Sequence, residues 1–363
     1  MHSKPIPKVD SLLKFILLPF SLLYGLAILL RNFMFGIGLF SSEEYPFPVI
    51  SIGNLSVGGT GKTPHAEYII SHLRKRFKLA SLSRGYGRKT KGYKLATAGD
   101  NANSIGDEPF QIFQKFDDIH VAVAEKRKEG IRQLRKLDHP PQIIVLDDAF
   151  QHQSVKPGLN ILLTDYSKLY KDDLILPSGR LREWKSGAKR ADIIIVTKSP
   201  SVLSPLEIRR ISQSLNPQDY QKVFFSYINY KKAIPLNRTA IELYKEKDKF
   251  TTRAVLLVSA IANPESLILH LKRSAKEVQH LSFKDHYYFK AKDYKTIKTK
   301  LDNLLSQKRA LVITEKDAVK FDASQFNDVP VFSIPITIKF HEHQELSFSE
   351  EIDNYVRSYS KIS

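Results

Sequence analysis

Ser51-Ile52-Gly53-Asn54-Leu55-Ser56-Val57-Gly58-Gly59-Thr60-Gly61-Lys62-Thr63-Pro64 is the stretch on which the reading of this chain turns. An apolar run enters a glycine-rich turn, Gly-Lys-Thr follows, and a helix-like pattern continues from Thr63 to Arg76. That is the strand–loop–helix context of a phosphate-binding P-loop. Glycines at 58, 59 and 61 let backbone N–H groups come close to phosphate oxygens, and the helix start adds its positive dipole end. Residues Ser56, Val57, Gly58, Gly59, Thr60 and Gly61 form the cradle. Lys62 reaches the β/γ phosphates and Thr63 presents its hydroxyl to Mg2+. A strict motif has Gly at position 56, where this chain has Ser. A P-loop also needs an acidic metal partner at the end of a buried strand. Gln142-Ile143-Ile144-Val145-Leu146-Asp147-Asp148 has the form of one, with Asp147 and Asp148 as the metal carboxylates.

Short β-branched runs recur outward from these two motifs, at Pro48–Gly53, Leu79–Ser83, His120–Ala124, Gln142–Leu146, Asn160–Thr164 and Asp192–Thr197. Helix-like segments such as Thr63–Arg76 and Glu125–Leu137 separate them. Several runs are continuously apolar rather than alternating, which requires strands covered on both faces and hence a parallel sheet. The pattern predicts an α/β fold: a P-loop NTPase-like parallel sheet with helices on both faces. A polar interval around Tyr230–Thr252 reads as a hinge or a two-stranded link. Beyond it come strands at Ala254–Ser259, near Val278–Phe283, at Ala310–Thr314 and at Val331–Ile334, with helices at Glu265–Ser274 and Lys292–Leu305. They predict a second, smaller α/β domain. The expected organisation is an N-terminal apolar region over 1–40, a P-loop kinase domain over 41–228 and a hinge over 229–252. The smaller domain covers 253–340 and a C-terminal segment 341–363.

The chain of 363 residues has an apolar fraction of 42% and carries 56 Lys and Arg against 38 Asp and Glu, a net charge of +18. Disorder and a many-pass membrane protein are excluded by that composition. The excess of cations calls for acidic partners, whether phosphorylated substrates, anionic lipid or nucleic acid. The basic residues are scattered and form no RNA- or DNA-binding module, so no nucleic-acid partner is expected. No cysteine is present, which removes disulfides, thiolate nucleophiles and Cys-built metal sites. Leu12–Leu30 reads LLKFILLPFSLLYGLAILL, interrupted by Pro19 and Gly25 and bracketed by Lys14 and Arg31. About 20 apolar residues suffice to span a bilayer. An in-plane membrane helix, a true span and a buried core helix all compete for this segment, and association with an anionic membrane surface fits the charge best.

Further motifs follow in order: Ser83-Arg84-Gly85-Tyr86-Gly87-Arg88, Gly106-Asp107-Glu108-Pro109, Asp147-Asp148-Ala149-Phe150-Gln151-His152, Leu176-Pro177-Ser178-Gly179-Arg180-Leu181-Arg182-Glu183, Asp285-His286 before Phe289, and Thr314-Glu315-Lys316-Asp317-Ala318. Together with the P-loop they resemble the tetraacyldisaccharide 4'-kinase family, the lipid A kinases of Gram-negative bacteria, over most of the chain. A small hydroxyl residue at position 56 is usual for that family, whereas Ala149-Phe150 departs from its more frequent Gly-Leu or Gly-Phe.

The resemblance implies a two-domain kinase that uses ATP and Mg2+ to phosphorylate the 4'-hydroxyl of a tetraacyldisaccharide 1-phosphate. It implies a place on the cytoplasmic face of the inner membrane, peripheral or held by a single N-terminal anchor, with the lipid at a cleft near that surface and no obligate protein partner. Asp107 becomes the general base, oriented by His286 from the other domain; alone, Gly-Asp-Glu-Pro reads as an Asx turn capping a helix. Arg84, Arg88, Arg127, Arg180 and Arg182 are candidates for binding phosphates of ATP or substrate through their rigid forks, any of which could equally be a solvated surface charge. Glu183 is a candidate metal or metal-water ligand. Thr314-Glu315-Lys316-Asp317 invites comparison with the guanine-reading motif of GTPases and is read as structural or hinge-related. The rival to the kinase is a P-loop NTPase of the targeting or metallochaperone type.

Overall fold

The structure is a computed structural model that describes residues 11–247, 254–341 and 344–360. Two compact units divide the chain. The first takes the chain up to Arg84, then Asp118–Ile228, and finally Ile338 onward; the second takes Gly85–Asp117 and Asn229–Thr337.

At the centre of the first unit, seven strands run parallel in the order Lys222–Tyr230, Ile193–Thr197, Leu159–Asp165, Val49–Asn54, Ile143–Asp147, Leu79–Ser83, His120–Val123. Ile336–Phe340 adds a strand beside Lys222–Tyr230. Val49–Asn54, Ile143–Asp147, Leu79–Ser83 and Ile193–Thr197 are buried at every residue, the physical basis of the unbroken apolar runs at 143–146 and 193–196. The first strand of the sheet lies in its middle, paired on one side with Ile143–Asp147 and on the other with Leu159–Asp165. Chain order reverses there, and ligands of open α/β sheets bind beyond the carboxyl ends of strands at such a point. Register pairs Ile52 with Asp147, which sets the P-loop next to the acidic motif.

Helix Lys62–Leu73 leaves the P-loop and buries Ala66, Ile69, Ile70 and Leu73. The C-terminal helix Gln344–Ser360 belongs to this unit as well. Its Tyr355 hydroxyl accepts the Val49 N–H at 2.9 Å and donates to the Val49 carbonyl at 3.1 Å, while Asp353 pairs with His72 and Arg76.

Helix Ser11–Gly36 is apolar over Leu13–Gly36 and largely uncovered, with Phe15, Phe20, Leu23 and Leu26 among its exposed side chains. The buried-core reading therefore does not hold. One face is fastened to the first unit. The Ser21 hydroxyl bonds Ser178, the Tyr24 hydroxyl donates to the Arg182 carbonyl at 2.9 Å, and the Trp184 indole N–H donates to the Gly25 carbonyl at 2.8 Å. A Cβ at Gly25 would come within 2.8 Å of Trp184 Cε2, so only glycine lets the indole lie on the helix.

In the second unit, four parallel strands stand in the order Glu277–Ser282, Ala254–Ser259, Arg309–Thr314, Val331–Ile334, and Ile234–Pro235 closes the edge antiparallel to the last. The expected contiguous boundaries differ in three places. Segment 85–117, assigned by sequence to the P-loop domain, packs with the second unit, and the chain from Ile338 returns to the first. The interval 229–252 is a strand and a helix, Arg238–Lys247, up to the limit of the described residues, and not an open link. Its polar sequence reflects a helix that buries Ala240 and exposes Arg238 and Glu242. Residues 248–252 of that interval lie outside the described residues.

Candidate active site

The P-loop is built from its neighbours inward. Gly61 caps helix Lys62–Leu73 with φ 88°, a left-handed conformation open to glycine at little cost. Val57 N–H donates to the Arg180 carbonyl and Arg182 N–H to the Leu55 carbonyl, both at 2.7 Å, so segment 180–182 supports the loop's shoulder. Asn54 donates to the Thr60 hydroxyl at 2.8 Å, and Thr197 donates to the Thr60 carbonyl at 2.9 Å. The Lys198 ammonium donates to the Gly59 carbonyl and pairs with Asp165 at 3.0 Å. His65 is buried one turn into the helix. Its Nδ1–H donates to the Gly61 carbonyl at 2.6 Å and its Nε2 accepts from Ser226 Oγ at 2.9 Å. Burial pushes this imidazole down to about 4, so it stays neutral at physiological pH.

Lys62 Nζ lies 3.7 Å from Asp148 Oδ1, which also takes Arg182 Nη1 at 3.0 Å. Thr63 Oγ1 is 3.5 Å from Asp147 Oδ2. Burial opposes the Asp148 charge, yet Lys62, Arg182 and Arg127 outweigh it and hold its carboxyl below the ordinary range. A hydroxyl and two carboxylates are the hard oxygen donors that Mg2+ takes alongside phosphate oxygens and water. Among the described residues no cluster of three or more His, Cys, Asp or Glu forms a cage of its own. A metal that arrives with a phosphate fits this set, and a backbone cradle without acidic residues in its first helical turn fits the phosphate.

Asp107 opens helix Asp107–Lys115 in the second unit, after Gly106 at φ 95°. His286 Nδ1 donates to Asp107 Oδ2 at 3.0 Å, Lys320 Nζ reaches the same oxygen at 2.6 Å, and the Tyr288 hydroxyl donates to Oδ1 at 3.2 Å. Burial raises the carboxyl, but the His286 and Lys320 bonds prevail and its net position is below the usual range. The Tyr288 phenol is pushed up to about 12, first by burial and then by the Asp107 charge. His286 was expected from the opposite domain. Both residues belong to the second unit, because segment 85–117 packs there.

The family model for tetraacyldisaccharide-1-P 4'-kinase matches residues 13–357. The chain belongs to that family. Relatives named tetraacyldisaccharide 4'-kinase include one from Phocaeicola vulgatus, 43% identical over 96% of both chains, and one from Flavobacterium psychrophilum, 44% identical over 94% of this chain and 96% of the relative. A crystal structure titled as an "apo" form of LpxK from Aquifex aeolicus in complex with ATP superposes with a TM-score of 0.68 at 28% identity, covering 95% of this chain and 99% of that one.

Among the arginines, Arg127 is fully buried, donates to the Ala124 and Asp147 carbonyls, and is lowered to about 10 by burial. Arg182 bridges Asp148 and Gln151, and Arg180 is ion-paired with Asp173. Arg84 is exposed. Arg88 belongs to the second unit, where it donates to the Gly92 carbonyl. Glu183, expected at the metal, is fully buried, with Oε2 paired to Arg190 at 2.7 Å and Oε1 accepting from Gln151 at 3.0 Å. Both of its oxygens are engaged by neighbouring side chains. Asp317 is fully buried, and its Oδ2 accepts the Ala260 N–H and the Thr314 hydroxyl, which fits the structural reading of this motif. Sequence reasoning missed His65, Lys198, Lys320 and Tyr288. Thr197-Lys198-Ser199-Pro200 after an apolar strand was a visible signal for Lys198. Lys320 had none, because nothing local connects it to Asp107.

Proposed function

We propose that this chain transfers the γ-phosphate of ATP to the 4'-hydroxyl of a tetraacyldisaccharide 1-phosphate, with Lys62, Thr63, Asp147 and Asp148 at the nucleotide and Asp107 as the proton acceptor. The observation that carries the reading is the P-loop with its cations and carboxylates already in contact, in a member of a 4'-kinase family. Bound Mg2+ would neutralise phosphate charge, held by Thr63 with Asp147 and Asp148. Lys62 and Arg182 both rest on Asp148, from which they can turn to phosphate oxygens while the carboxylate turns to the metal. Arg127 stiffens this group from below.

Phosphoryl transfer needs positioning and charge stabilisation more than a strong base. Asp107, ionised and fixed by three donors, meets that need by orienting the acceptor hydroxyl and taking its proton late. His286 keeps the carboxylate aimed. Helix Ser11–Gly36 serves the lipid substrate as an in-plane membrane contact. Its bonds to the first unit involve Lys14, Ser21, Tyr24, Gly25, Arg31 and Asn32, one face at helical spacing, which favours an in-plane contact over a span. The positive net charge favours an anionic surface such as the inner leaflet.

The test is incubation of purified protein with ATP, Mg2+ and tetraacyldisaccharide 1-phosphate. A bis-phosphorylated product is expected. Nucleotide hydrolysis indifferent to the lipid would instead support an NTPase of the targeting type.

A further inference from the structure

Thr197 and Lys198 lie at the end of strand Ile193–Thr197, two strands from the P-loop strand, and both reach back to the loop. The Thr197 hydroxyl donates to the Thr60 carbonyl and the Lys198 ammonium to the Gly59 carbonyl. A trans peptide points its N–H away from its carbonyl, so these bonds fix the directions of the Thr60 and Gly61 N–H groups. Lys198 sits at φ 57°, a left-handed backbone uncommon for a residue with a side chain. Such a conformation persists only where its surroundings over-determine it. Ser199 supplies part of that hold: its N–H donates to the Ser226 carbonyl at 3.0 Å, and its hydroxyl lies 2.8 Å from His341 Nε2. Asp165 supplies the rest. It pairs with the Lys198 ammonium at 3.0 Å and accepts the N–H and hydroxyl of Ser167. Burial opposes the Asp165 charge, but Lys198 and Ser167 hold its carboxyl below the usual range.

The methylene stem of Lys198 is thus strung between its strand end and the P-loop, with 26% of the side chain exposed. On the nucleotide reading given above, the metal and the β and γ phosphates it bridges belong beside Asp147 and Asp148, at the end of the strand flanking the P-loop strand on one side. The nucleoside end of the same molecule then extends to the other side, over the ends of Leu159–Asp165 and Ile193–Thr197. The loop between is uncovered: a Cβ at Gly58 or Gly59 would meet no atom within 4 Å among the described residues.

We propose that Lys198 serves the nucleotide twice: its ammonium pins the P-loop through the Gly59 carbonyl, and its methylene stem is the apolar seat of the nucleobase. Lysine suits both tasks, because its stem covers apolar surface while its head stays bonded at the far end. The inference rests on the nucleotide reading of the P-loop and extends it to the nucleoside end.

Equilibrium binding of ATP and of tripolyphosphate, each with Mg2+, separates the two roles in the full chain, because tripolyphosphate has the phosphates without the nucleoside. Lys198→Met keeps an unbranched stem and loses the ammonium, whereas Lys198→Ala loses both. In Lys198→Met both ligands should bind about 10-fold more weakly, the scale of one charge-assisted hydrogen bond, and the ratio between them should hold. In Lys198→Ala tripolyphosphate should bind as in Lys198→Met, while ATP loses about a further 10-fold, the scale of two buried methylenes. Hydrogen exchange at the Thr60 and Gly61 amides of the nucleotide-free protein should quicken in Lys198→Met, a change that a lysine acting only on bound phosphate would not make. Both variants strand the Asp165 charge, so Lys198→Met combined with Asp165→Asn is the control and should bind both ligands as Lys198→Met does. Parental binding by that control, or unaltered amide exchange in Lys198→Met, overturns the pin. One ATP-to-tripolyphosphate ratio shared by the parent, Lys198→Met and Lys198→Ala overturns the seat. Lys62→Ala binding both ligands at parental strength would instead remove the P-loop reading itself.

Discussion

His65 offers a quantitative test of how the P-loop is held. The imidazole is enclosed and neutral, joining the Gly61 carbonyl to Ser226. Its folded value of about 4 lies below the ordinary histidine range. A depressed value means that the unfolded chain binds more protons between about pH 4 and 6.5. The stabilisation is therefore complete above the unfolded value and is lost as pH falls towards the folded one. Between pH 7 and pH 5, one such histidine gives up about 2 kcal/mol, from 1.36 kcal/mol for each unit between pH and the unfolded value. His65→Gln cannot titrate, so the variant should lose about 2 kcal/mol less than the parent over that interval, whatever its stability at pH 7. The chain has a single tryptophan, Trp184, in the same unit as the P-loop. Urea unfolding followed by its fluorescence at pH 7, 6 and 5 reads the required difference. Parallel pH dependence in parent and variant would show that His65 is solvated or already charged, and the account of the P-loop's support would fail.

Three further outcomes follow from the site. Lys62→Ala should reduce turnover by several orders of magnitude in a folded protein, since its ammonium meets charge on the transferred phosphoryl group; near-parental turnover would refute the P-loop assignment. Asp107→Ala and His286→Ala should each cost roughly 10²–10⁴ in rate, and the double variant little more than either, because groups acting as one unit are not additive; losses that multiply would make them independent. Deletion of residues 1–32 should move most of the protein from membranes to the soluble fraction, and a truncated form that still sediments with membranes at high salt would place the anchor elsewhere.

The parts legible in the sequence were those whose cause is local. Unbroken apolar runs at Ile143–Asp147 and Ile193–Thr197 announce strands buried on both faces, and the structure has them there. The P-loop is a local geometry as well, fixed by its own glycines and the helix that follows. What escaped was set by contacts between distant residues. Segment 85–117 joins the second unit through packing that no composition change marks. Glu183 follows Arg182 in a motif and reads as a metal ligand, yet Arg190 and Gln151 take both of its oxygens. The Arg238–Lys247 helix looked like a linker because its core face, Ala240 with Leu243 and Tyr244, is short and set among Lys, Glu and Arg. Lys320 lies over two hundred residues from Asp107, and in a chain with 56 basic residues nothing singles it out.

The two carboxylate centres share one electrostatic design. At Asp148, Lys62 and Arg182 stand on the exposed side and Arg127 below, so three cations meet the carboxylates of Asp147 and Asp148, an excess of one positive charge. At Asp107 a buried ammonium and a hydrogen-bonded imidazole answer a single carboxylate. Both centres hold their acids ionised against the cost of burial, but they differ in what the cations are free to do. Lys62 and Arg182 touch Asp148 at the edge of the P-loop, with side chains partly exposed, and can exchange the carboxylate for a phosphate. Lys320 is enclosed and has no such freedom. On the proposed reading, the first arrangement suits the binding of an anion and the second a fixed carboxylate. Phosphoryl transfer asks for one of each: mobile positive charge where phosphate arrives and a stationary carboxylate where a proton departs.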